Sequence, residues 1–116
     1  MFKKNQGRKD NFKLPNSPVG IACKEYHDFI VENFLNQEFQ SSDMPKINRS
    51  FFHEVDKSVT FAVSTPELET IAKESLLGRM CEIGLVKLTK KVNGDKESIW
   101  YSLTPKGKKV TLVFEA

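Results

Sequence analysis

From Leu76 to Gly107 the chain reads LLGRMCEIGLVKLTKKVNGDKESIWYSLTPKG, and the fold turns on how this stretch is parsed. An apolar run at helical spacing ends at Gly84-Leu85-Val86. A charged hairpin follows, and its return strand closes on Tyr101-Ser102-Leu103-Thr104-Pro105-Lys106-Gly107. Asn93-Gly94 tolerates the positive φ angles of a type I′ turn and sits midway between two alternating strands. On the way out Val86, Leu88 and Val92 alternate with Lys87, Thr89 and Lys91; on the way back Ile99, Tyr101 and Leu103 alternate with Trp100 and Ser102. One face of the ribbon is therefore apolar and the other polar or basic. Lysines in that position either guard an edge strand against aggregation or meet a polyanion. Trp100 lies opposite Ile99 and Tyr101, where it either stacks on a partner or packs against a neighbouring helix or subunit.

The helix before the hairpin has a marked start. Ser64 or Thr65 can cap it, Pro66 suits its first turn, and Glu67 follows Ser64 at capping-box spacing. It is expected to run to about Ile83, with Leu68, Ala72, Leu76, Met80 and Ile83 as its buried stripe and Thr70, Lys73, Glu74 and Gly78 outside it. Gly84 supplies the left-handed residue that ends it. Upstream, Ser17-Pro18 starts a helix through Ala22, Tyr26, Phe29, Ile30 and Phe34 that is expected to end near Gln40. Ser41, Ser42, Asp43 and Pro45 form a break, and Ile47, Phe51, Phe52 and Val55 mark a second helix. Val59 to Val63 is a connection or a short strand. At the far end Val110, Leu112 and Phe114 alternate as a short strand does.

On Leu76-Leu77, Met80, Gly84-Leu85-Val86 and the Tyr101-Ser102-Leu103-Thr104 run with Gly107, the chain resembles the MarR and PadR type winged-helix regulators. The resemblance covers about the last half of the chain. It implies an α+β, winged helix-turn-helix fold: three helices followed by a two- or three-stranded β-wing. It further implies that residues 66–83 form a recognition helix placing Thr70, Lys73, Glu74 and Ser75 near a DNA major groove. Residues 86–103 would be the wing, with Lys90, Lys91, Asn93 and Lys96 near the backbone or minor groove. Two features depart from that family. The recognition helix holds Glu67, Glu69, Glu74 and Glu82 against Lys73 and Arg79, although the first two lie in the first turn, where acids favour the helix dipole. The family's long dimerisation helices have no counterpart in Lys108 to Ala116.

The length of 116 residues and a hydrophobic content of 39% suit one domain, expected over residues 18–116 behind a basic N-terminal arm of residues 1–17. Nine phenylalanines supply bulky core material. The net charge of +3 is unevenly spread: both ends are basic and the middle is acidic. That polarity would orient the molecule on a polyanion. The arm carries Lys3, Lys4, Arg8, Lys9 and Lys13 among polar residues, as a solvated tail or as a segment tracking DNA phosphates.

Cys23 and Cys81 are isolated and read as small apolar residues of a reducing compartment. Cys23 and His27 stand four apart on one helix face, but a metal site would need Cys81 or His53 to converge on them. No phosphate loop, nucleophile elbow or zinc-protease motif occurs, so no enzymatic activity, metal or cofactor is expected. The opening residues lack the apolar core of a secretory signal and no run is long enough to span a bilayer, so no membrane association and a cytoplasmic location are expected. Two functions fit. One is a sequence-specific double-stranded DNA-binding protein acting as a homodimeric transcriptional regulator. The other is a winged-helix adaptor in a plasmid or phage replication, partition or host-takeover complex, binding mainly a protein partner through Glu69 and Glu74.

Overall fold

A computed structural model of the chain describes residues 11–47 and 66–115. Within them run β1 (Asn11–Leu14), α1 (Pro18–Asn33), a 3-10 turn (Ser41–Asp43), α2 (Pro66–Glu82), β2 (Val86–Asn93), β3 (Lys96–Leu103), α3 (Pro105–Lys109) and β4 (Thr111–Phe114). Sequence patterning therefore has the α+β class right and the architecture wrong. The strands form two separate sheets, a parallel β1–β4 pair and an antiparallel β2–β3 hairpin, and not a helix-turn-helix wing. The cause lies at residues 11–14, in the stretch read as an arm: they form β1 and pair Asn11 with Thr111 through Leu14 with Phe114. The C-terminal strand is thereby joined to the other end of the chain, away from the hairpin. The expected second helix does not include Ile47; Phe51, Phe52, Val55, the Val59 to Val63 connection and the Ser64 or Thr65 cap lie outside the described residues.

Helix α1 begins as its sequence dictates, with the Ser17 side chain accepting from the Gly20 N–H and Pro18 in the first turn. Ala22, Cys23, Tyr26, His27 and Ile30 recur at helical spacing and are buried. It stops at Asn33, short of Gln40, because Phe39 is needed elsewhere: its N–H donates to the Tyr101 carbonyl at 2.9 Å and its own carbonyl accepts from the Tyr101 N–H at 2.8 Å. A helical Phe39 could not make that extended pair. Rings of Phe29, Phe34, Phe39 and Tyr101 follow one another at centroid distances of 6.1, 5.5 and 6.0 Å, tying the end of α1 to β3. Each such contact contributes about 0.5–1.5 kcal/mol beyond area burial.

Helix α2 buries Ala72, Leu76, Leu77 and Met80 and leaves Leu68 partly exposed. Gly84, at φ 84°, turns the chain out of it. Leu85 and Val86 then enter the core with no exposed surface of consequence.

The hairpin differs from expectation at its tip. Asn93 pairs with Lys96, so the two turn residues are Gly94 and Asp95. Among the described residues only glycines have positive φ, and Gly94 is at 67°, which is the pattern of a type II′ turn with glycine first. Moving the turn by one residue slides the partner strand by two. Face parity is therefore unchanged, and the apolar and basic faces are those the sequence implies.

Beyond β3, Thr104 caps α3 by accepting from the Gly107 N–H at 2.9 Å, and its hydroxyl donates to the Gly84 carbonyl. Lys106 donates to the Ile83 carbonyl at 2.9 Å, a cation at the end of α2 where the helix dipole favours one. His27, buried in α1, reaches the Gly107 carbonyl at 2.7 Å; a carbonyl only accepts, so Nε2 holds the proton.

Candidate nucleic-acid interface

Cross-strand pairing sorts the hairpin side chains into two sets. Lys87 opposes Ser102, Thr89 opposes Trp100, Lys91 opposes Ser98 and Asn93 opposes Lys96 on one face. Val86, Leu88, Lys90, Val92, Glu97, Ile99, Tyr101 and Leu103 share the other. The first face is hydrogen-bonding and cationic along its length. Lys87 and Lys91 stand about 13 Å apart on it, at the rise of an extended strand.

Two contacts order this face. The Trp100 indole N–H donates to Ser98 Oγ at 3.1 Å, and the Lys91 ammonium sits 4.7 Å from the indole centroid in a cation–π contact. Lys91 also forms an ion pair with Glu38, from the loop that precedes the Phe39 bridge. Lys87 and Lys96 have no carboxylate partner among the described residues. The cations beyond β3 are differently used: Lys106 closes α2 and lies over the Phe12 ring at 4.6 Å, while Lys108 donates to the Asn36 side chain at 3.0 Å.

Of the residues named from the sequence, Lys91, Asn93 and Lys96 are together on the basic face, and Lys90 is on the opposite one beside Ile99. Lys87, Thr89 and Trp100 complete the basic face; alternation placed them on it in the sequence, but they were not among the residues expected to touch DNA. On α2, Thr70, Glu74 and Ser75 are exposed and Lys73 is half-buried. Glu74 lies near Tyr101, whose phenol is pushed up first by burial and then by the Glu74 carboxylate and Cys81. The middle of α2 thus looks toward the apolar side of the hairpin, away from Lys91 and Lys96. The outer edge of α2 is acidic and apolar, with Glu67, Glu74 and a 62% exposed Ile71. Lys3, Lys4, Arg8 and Lys9 lie outside the described residues.

The chelating pair does not converge on a third ligand. His27 Nε2 is taken by the Gly107 carbonyl, and burial, opposed by Arg79, pushes the Cys23 thiol up to about 11, which keeps it protonated. No group of three potential metal ligands forms among the described residues, and no helix among them is long and apolar enough to cross a membrane. No protein-family model, curated protein or solved structure matches the chain.

Proposed function

We propose that the protein binds double-stranded DNA, with Lys87, Lys91 and Lys96 of the hairpin gripping backbone phosphates, and that it acts as a cytoplasmic, homodimeric transcriptional regulator. The observation behind this reading is one ribbon face with three lysines, hydroxyl and amide groups and an indole, on which Glu38 is the one carboxylate engaged among the described residues. Phosphates exchange for Glu38 at Lys91, and Thr89, Asn93 and Ser98 hydrogen-bond to the backbone. The middle of α2, with Glu74 beside Tyr101, looks away from these lysines, so the reading rests on the ribbon face alone.

The test is a titration of duplex DNA at several salt concentrations. Each phosphate contact adds about 0.9 to the slope of log affinity against log salt. Replacing Lys87, Lys91 and Lys96 with alanine should flatten that slope by about 2 to 3, whereas Lys46→Ala, at an exposed lysine off the hairpin, should leave it alone. Absence of binding at low salt, or an unchanged slope in the triple variant, overturns the reading. The acidic edge of α2 with exposed Ile71 supports a second one, an adaptor that seats a basic protein partner there. In that case Ile71→Glu and Glu74→Lys abolish partner capture and the lysine variants do not.

A further inference from the structure

Two-stranded parallel sheets are seldom left on their own, because a parallel pair is slightly weaker per residue than an antiparallel one and leaves two rows of unpaired backbone groups. Here the two outer edges are unequally defended. Strand β1 is Asn-Phe-Lys-Leu with Pro15 directly after it, so a charge and a proline discourage pairing. Strand β4 is Thr-Leu-Val-Phe, all β-branched, aliphatic or aromatic, with neither device. Among the described residues its outer edge has no ladder partner.

Which groups point outward follows from one bond. Glu115 donates inward to the Leu14 carbonyl at 2.9 Å, and backbone groups change sides at each residue. Val113 and Thr111 therefore also bond toward β1, while the N–H and C=O of Leu112 and Phe114 face away from it. Beside that edge lies a groove of about 360 Å³ lined by Lys24, Asp28, Val31 and Glu32 of α1 with Val110 and Leu112. No β1 residue lines it, so it opens on the outer side of β4. Phe114, on the same strand face as buried Leu112, remains 36% exposed.

We propose that this edge seats a second copy of the chain, the two β4 strands pairing antiparallel about a two-fold axis at Val113 to give a continuous four-stranded sheet. In that register Leu112 and the partner's Phe114 exchange both hydrogen bonds, Phe114 and the partner's Leu112 do the same, and the two Val113 residues face each other. All the outward groups are then used. The partner's Phe114 ring lies beside Leu112 and enters the groove under Val31, covering its own exposed surface. Charge agrees as well. The rim of the groove carries Lys24, Asp28 and Glu32 along α1, and reversing one such stripe against another about Asp28 sets Lys24 toward Glu32 of the partner subunit and Glu32 toward the partner's Lys24, two attractions against one repulsion between the Asp28 carboxylates, each of which its own Lys24 already neutralises at 2.9 Å. A protein strand of unrelated sequence would have no reason to match that order.

The inference shares only the dimeric part of the DNA-binding reading, and its test contains no DNA. Sedimentation of the full chain over a concentration series should show a monomer–dimer equilibrium. Phe114→Pro deletes one outward N–H per protomer and leaves the inward ladder to β1 intact; it should raise the dimer dissociation constant by about 100-fold or more. Val113→Cys provides a second measurement that does not depend on that variant folding. A facing non-hydrogen-bonded pair lies within disulfide reach, so mild oxidation should yield a covalent dimer. Thr111→Cys, about 13 Å from its copy in this register, and the parent chain with its native thiols should not cross-link. A chain that stays monomeric up to roughly 100 μM overturns the proposal. So does a dimer that survives Phe114→Pro and is not trapped through Val113→Cys. Salt-dependent DNA binding by the monomeric variant would leave the hairpin reading standing whichever way this falls.

Discussion

Gly107 has no room for a side chain. A Cβ built there would stand 2.0 Å from the Leu85 carbonyl oxygen and 2.9 Å from its carbon, both backbone atoms. Leu85 cannot retreat, since its carbonyl accepts from the Thr104 N–H at 3.0 Å and its side chain is in the core. Gly107 cannot retreat either without releasing His27. Gly107→Ala should therefore lower the free energy of unfolding by about 2–4 kcal/mol. The check is a urea melt, with the midpoint falling and the slope unchanged. Stability equal to the parent would mean that α3 slides off Leu85 at no cost.

Elements differ in how much of them a local pattern could carry. In α2 the Pro66 start, the buried Ala72, Leu76 and Met80, and the positive φ of Gly84 were all readable, because each is fixed within a few residues. Leu77 was not: packing against both α1 and the hairpin widens the buried stripe beyond one residue per turn. The hairpin faces were readable even though the turn was placed one residue early, since parity survives a two-residue slide. The splitting of Lys90 from Lys91 and Lys96 followed from that same parity. For β1 there was no signal to read. Asn11 to Leu14 alternate over too few residues to stand out, and what makes them a strand is Thr111 to Phe114, remote in sequence. The end of α1 was hidden for the same reason, as Phe34 continues the helical pattern while Phe39 answers to Tyr101.

At the scale of the whole molecule, four weak acids among the described residues are held protonated by the fold. Burial raises Cys23 from 9.0 to about 11 against the pull of Arg79; burial and then Glu69 raise Tyr26; burial and then Glu82 raise Cys81; and Tyr101 moves the same way. Each pKa is higher folded than unfolded, so the unfolded chain loses its protons first. The corresponding stability is complete below pH 9.0 and drains away as pH climbs through about 11. Melting temperature followed over that interval should fall steadily, and Cys23→Ala should make the fall shallower. A melting temperature flat across it would mean these groups ionise alike in both states.

The pairing of β1 with β4 has a mechanical side. Parallel strands entered at Asn11 and left at Phe114 are drawn past each other when the chain is stretched, so tension meets every rung together and acts in shear. Strands β2 and β3 begin and end at the same side, Val86 beside Leu103, and the same tension would peel them one rung at a time. Pulled through handles placed outside residues 11 and 114, the molecule should resist until the small parallel sheet gives way in one abrupt step, and a gradual low-force extension would show that the rungs part singly.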